Sequence, residues 1–193
     1  VFIILIAQSP LLWPASNGMR HKYVTRAIVL GRHAAREYGV TLTLLTEDLG
    51  LVRAKAEGLR KSGAKLASAL QTLCECDVTL VRGKDGWRLA GALLTENRFN
   101  SLLPNARSSA SRVGSLFLRL MPPDAHEAGF FALYTNFLKE LGESTPETQD
   151  TAECVVALSL LVMLGLDSSP SVQGLSRKEM VLRINKGIAA SGL

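Results

Sequence analysis

Between Tyr23 and Glu96, apolar and polar residues recur with a period of two, as they do in strands half buried in a sheet. "YVTRAIVLGRH" alternates weakly, with Val24, Ile28 and Leu30 sharing a face. "GVTLTLLTED" alternates more cleanly, Val40, Leu42 and Leu44 opposing Thr41 and Thr43. "GLVRAKAEG" predicts a third strand with Arg53 and Lys55 on one face and the small Val52, Ala54 and Ala56 on the other. "CDVTLVRG" turns Val78 and Leu80 the same way, and "GWRLAGALLTE" predicts a fifth strand in which Trp87, Leu89 and Leu93 share a face. Asp85-Gly86 predicts a hairpin between the last two strands, because glycine takes positive φ without steric cost. Glu47-Asp48-Leu49-Gly50 predicts a second short turn, and Ala64 to Leu70 is a helix-permissive insertion between strands three and four.

From Ser108 onward the period becomes helical. "SSASRVGSLFLRLM" places Val113, Leu116, Phe117 and Leu120 on one stripe, and Pro122-Pro123 ends it. Asp124 precedes a second helix striped by Phe130, Leu133, Phe137 and Leu141, with Gly142 as its stop. A third, apolar almost all round from Cys154 to Leu166, is predicted as the central helix of its layer. The fourth begins at Ser176, with Glu179 at the capping-box position and Met180, Ile184 and Ile188 as its stripe. The fold class expected is mixed β then α: an amino-terminal five-stranded OB-type barrel, from the order β-β-β-α-β-β, followed by a small α-helical bundle. The divisions expected are an extension over 1–18, the barrel over 19–98, an Asn, Ser and Pro-rich linker over 99–107 and the helical domain over 108–193.

Charge sharpens this division. The 193 residues carry a net +5, but residues 20–98 hold 14 Lys and Arg against 8 Asp and Glu, leaving the rest nearly neutral. A basic first half points to a polyanionic partner, against the plainer reading of a solvated surface. Three cysteines, Cys74, Cys76 and Cys154, make no disulfide framework and read as reduced thiols of a cytoplasmic protein. Cys74-Glu75-Cys76 has the wrong spacing for zinc, and His21, His33 and His126 have no companions at ligand spacing, so no metal is expected. The apolar run Val1 to Ala7 falls far short of the ~20 residues that span a bilayer and has no positive region before it. Met19 is a natural start for the ordered domain, and residues 1–18 read as an appendage of the kind an upstream translation start would add.

The segment from Thr25 to Leu94 closely resembles the amino-terminal OB domain of the RecO family of bacterial DNA repair proteins. The resemblance is carried by "AIVL", by "LLTEDLGLVRAKAEGLRK" with its basic loop, by "LASALQ" and by the "RGKDGWRL" hairpin. It continues more thinly through "LFLRLMPP", "VALSLLVMLGL" and "LRINKGIAASGL". It implies a recombination mediator that binds single- and double-stranded DNA, promotes annealing, contacts the single-strand-binding protein and works with RecR so that RecA can load. Many members of that family carry a cysteine zinc site in a longer helical region; nothing in this chain could build one.

In OB barrels the loops and one open face carry single strands. Arg53 and Lys55 on the third strand, Arg60, Lys61 and Lys65 in the loop after it, and Arg82, Lys84 and Arg88 around the last hairpin are expected to form one basic rim. Arg32 and Arg36 sit at another barrel loop, and Tyr38 beside Gly39 is the expected base-stacking ring; Trp87 is expected in the core. On the first helix, Arg112 and Arg119 around Phe117 could receive an acidic, aromatic-ended peptide, although the stripe position of Phe117 equally suits plain core. Enzyme chemistry finds no footing: there is no G-x4-G-K-[ST] loop, no G-x-S-x-G elbow, and the histidines are scattered. No cofactor is expected. The rivals to a DNA-binding mediator are an RNA-binding OB module of the translation machinery and a protein–protein adaptor that does not use nucleic acid.

Overall fold

The computed structural model describes residues 21–34, 39–57, 67–122, 129–168 and 174–192. Five strands, β1 (Lys22–Ala34), β2 (Val40–Thr46), β3 (Gly50–Ala56), β4 (Cys74–Gly83) and β5 (Gly86–Asn97), close into a barrel in the order β1-β2-β3-β5-β4. All pairings are antiparallel except β3 with β5. This is the OB topology, closed between β3 and β5 by the short pairing of Ala54 with Trp87 and Lys55 with Arg88. β1 makes closure possible: its 13 residues pair with β4 along the first half and with β2 along the second. Its register slips between Val29 and Gly31, the bulge that lets a strand bend from one side of a barrel to the other.

The interior of the barrel is filled by Ala27, Val29, Val40, Leu42, Leu44, Val52, Ala54, Ala56, Leu70, Cys76, Val78 and Leu80, as the alternation of β2, β3 and β4 requires. Two expectations about faces change. Val24, Ile28 and Leu30 do share a face, but it is the outer one. Ile28 and Leu30 are buried there beneath helices, while Val24 is 73% exposed. In β5 the register slips opposite Thr79 and Leu80, so Trp87 and Leu89 point inward and Leu93 outward, 69% exposed. One extra residue in a strand inverts every later side chain.

The helical layer comprises α1 (Arg98–Ser101), α2 (Pro104–Leu120), α3 (Phe130–Glu143), α4 (Pro146–Met163) and α5 (Arg177–Ala190). The segment read as a linker is therefore largely helical: α2 starts at Pro104, a residue that suits a first turn because the missing N–H would have no partner there. Arg98 of α1 is buried at the junction, 2.6 Å from Glu96 and 3.7 Å from Glu75. Gly142 does not stop α3, which runs on to Glu143 and ends in the extended Ser144 before Pro146. α4 packs against α2, α3 and α5, as its all-round apolarity predicts. The capping box of α5 forms as expected, Glu179 N–H donating to Ser176 Oγ and Ser176 N–H to the Glu179 carboxylate. α2 lies on β1 and α3 on β2, and Ile28, Leu30, Leu45, Leu51 and Leu73 of the barrel join the helical core.

Candidate nucleic-acid interface

Pairing register joins the strand segments that carry the candidate residues into one continuous row. Ala34 at the end of β1 faces Val40 at the start of β2, which faces Ala56 at the end of β3. Lys55 pairs with Arg88 near the start of β5, and Gly83 with Gly86 across the β4–β5 hairpin. The start of β1 lies opposite Val81 at Lys22, so the row winds around the barrel from one end of β1 to the other. Arg36, Tyr38, Arg60, Lys61 and Lys65 lie outside the described residues; the segments that carry them follow the ends of β1 and β3, which pair with the same residue, Val40.

One ladder of paired residues runs through all five strands: Lys22, Val81, Arg88, Lys55, Thr41 and His33. No member is buried, and Lys22, Arg88, Lys55 and His33 are exposed. Adjacent strands lie about 4.8 Å apart, so Lys55 and Arg88 are immediate neighbours on the outer wall. Arg53 shares their face two residues back on β3, and Lys84 projects from the two-residue hairpin loop Lys84-Asp85, after which Gly86 takes φ +104°. Arg88 Nη2 lies 3.0 Å from Glu57 Oε1, an exposed pair that phosphate could exchange. Lys22, Arg53, Lys55 and Lys84 have no carboxylate partner among the described residues. The sequence-based reading missed Lys22 and His33, because ladder register is set by distant strands; a cation at the first position of β1 was the only local signal.

Arg82 and Arg32 do not share this outer row. They end the adjacent inner row, Arg82, Trp87, Ala54, Leu42 and Arg32. Arg82 lies over the Trp87 indole, its guanidinium carbon 5.0 Å from the ring centroid, and Tyr23 meets the same indole edge-on at 5.2 Å. Arg32, at the other end of the row, lines a shallow recess with Ala34, Val40 and Thr72. Arg26, farther down β1, is held by Glu47, its Nε donating at 2.8 Å; this pairing keeps the Glu47 carboxyl below its ordinary range.

On the helical side Phe117 is fully buried between Phe130 and Tyr134, so it is core and presents nothing to a partner. Arg112 is exposed at the rim of a groove between α2, α4 and α5, hydrogen-bonded to Glu153 at 2.7 Å. The groove floor is apolar, Val113, Leu116, Ala157, Val181, Ile184 and Ile188, and Arg177 paired with Asp150 at 3.1 Å closes its far rim. Arg119 is exposed one heptad beyond Arg112 on α2. The thiols are poor nucleophiles: burial raises all three, Cys76 up to about 12. Among the described residues no helix is long and apolar enough to cross a membrane.

Residues 19–98 match the family described as recombination protein O N terminal. The chain is 31% identical over 127 residues to a protein of Dehalococcoides mccartyi strain 195 named DNA repair protein RecO, covering 65% of this chain and 50% of that one. A protein of the same name from strain BAV1 of that organism is 34% identical over 131 residues, 66% of this chain and 51% of the relative. The chain thus spans about half the length of the curated relatives it matches.

Proposed function

We propose that the chain is a member of the RecO family through its amino-terminal barrel, and that it is a non-catalytic DNA-binding mediator of repair and recombination in the cytoplasm. The observation that carries this reading is the outward ladder of Lys22, Arg88, Lys55 and His33, continued by Arg53 and Lys84. Such a row attracts phosphates without addressing base edges, so it holds single and double strands alike. Arg60, Lys61 and Lys65, in the segment after β3, add cations to the same site, with Arg36, Tyr38 and Arg32 on the β1–β2 side. Two strands brought to such a surface repel each other less, which favours annealing.

The helical layer is the partner platform. The groove between α2, α4 and α5 offers an apolar floor and, in Arg112 and Arg177, cations that can exchange their carboxylates for those of an acidic peptide. An acidic, apolar-ended tail of a single-strand-binding protein fits that chemistry, with Arg119 extending the basic side; RecR and the recombinase are the further partners of this reading.

The test is a salt titration of single-stranded and duplex DNA binding by the wild type, a Lys55→Ala/Arg88→Ala variant and an Arg60→Ala/Lys61→Ala/Lys65→Ala variant. For every phosphate that a variant no longer neutralises, the log–log slope should flatten by roughly 0.7 on single strands and roughly 0.9 on duplex. Unchanged slopes in both variants would remove the barrel wall as the DNA site and favour an adaptor. Structured RNA bound far more tightly than DNA of equal length would favour a translation-linked module.

A further inference from the structure

We propose that Tyr23 and Trp87 form a seat for one unpaired base at the inner lip of the barrel, a seat that the Arg82 guanidinium covers in the free protein. The inference rests on the DNA-binding reading above and adds a preference for single strands. Both rings are half-buried and pack against the barrel interior, so they are anchored. Yet one face of the indole is covered by an exposed arginine and not by core: the Arg82 side chain lies 5.0 Å above the ring. Tyr23 braces the indole edge-on, at 80° between ring planes.

The strands place these rings beside the phosphate row. Lys22 precedes Tyr23 and Arg88 follows Trp87, and strand alternation turns each cation to the outer wall and each ring to the inner lip. A strand whose backbone lies along Lys22, Arg88 and Lys55 can therefore turn a base over the rim onto Trp87. A duplex cannot, because its bases are committed to partners and stacked inside the helix.

Magnitudes favour the exchange. An arginine over an indole at an exposed site contributes about 2- to 5-fold to an equilibrium, and a base stacked on an aromatic ring about 5- to 150-fold. The displaced guanidinium is released next to the phosphate of the incoming nucleotide, where its charge is still used. The alternative is that the rings only plug the barrel.

Trp13→Phe leaves Trp87 as the single indole, since the chain has two. Oligothymidylate and a duplex of equal charge are titrated into that variant, with anisotropy of labelled DNA recording binding and indole emission recording stacking. The seat predicts quenching by the single strand and none by the bound duplex. Trp87→Leu should weaken oligothymidylate binding about 5- to 150-fold while leaving duplex binding within about 2-fold. Trp87→Phe, which keeps a ring and the packing, should retain part of the difference. Binding by anisotropy with no change in Trp87 emission, or equal quenching by both DNAs, overturns the seat and leaves the DNA-binding reading intact. No binding of either DNA overturns both.

Discussion

Gly114 sits where α2 crosses the barrel, and the space above it belongs to Tyr134. A Cβ at that position would lie 2.9 Å from the Tyr134 hydroxyl oxygen, closer than such atoms approach in folded proteins. The hydroxyl cannot retreat easily, because it donates to the Ala110 carbonyl at 2.9 Å and the ring is fully buried. Burial also drives the Tyr134 pKa above the ordinary tyrosine range, which favours the protonated hydroxyl that makes this bond. Gly114→Ala should therefore cost about 1–3 kcal/mol, the usual penalty for overpacking, against a small gain in helix propensity. Tyr134→Phe alone should cost about 1 kcal/mol for the missing hydrogen bond. Combined, the two should be less damaging than their sum, because removing the hydroxyl vacates the space the methyl needs. Urea midpoints of the four proteins check this, and strict additivity would show that the hydroxyl is not what excludes a side chain from position 114.

Element by element, the helical layer is unequally tied down. α4 touches three other helices, whereas α5 packs mainly on α4 and its Leu182 is 70% exposed. An element with one packing partner depends more on its own ends, and α5 has a full capping box at Ser176 and Glu179. Ser176→Ala should cost about 1 kcal/mol and act locally. Amide exchange in α5 should speed up about fivefold, with β2 and β4 unaffected; equal acceleration in the barrel would mean that α5 opens only with the whole molecule. The start of this helix was legible in the sequence because a cap is written in adjacent residues; of its expected stripe only Met180 is buried, while Ile184 and Ile188 line the groove. β3 was legible for a similar reason: alternation within seven residues assigns Arg53 and Lys55 outward and Val52, Ala54 and Ala56 inward. β5 was not, because its slip opposite Thr79 and Leu80 is imposed by the neighbouring strand, and Leu93 changes sides with it. The site divides in the same way: the cations of β3 and β5 could be read locally, whereas the row that joins them to Lys22 and His33 exists only through pairing across the barrel.

For the molecule as a whole, the helical layer decides which part of the barrel wall stays exposed. α2 and α3 cover the outer faces of β1 and β2 at Ile28, Leu30 and Leu45, while Lys55 and Arg88 remain exposed on β3 and β5. The same packing argues against two independent units, since five barrel residues belong to the helical core. Leu30 is the most informative of them. It occupies the bulge of β1, is 7% exposed, and its Cδ2 would lie 3.8 Å from a Cβ at Gly114. Leu30→Ala removes packing that belongs to the layer boundary and to neither interior, and should cost about 2–5 kcal/mol. If the layers unfold as one, Trp87 emission from the barrel and ellipticity at 222 nm from the helices should follow a single urea transition in the Trp13→Phe background. The substitution should then shift both signals together. Two separated transitions, with Leu30→Ala moving only one, would mean that the shared core does not couple the layers and that the barrel folds without its helices.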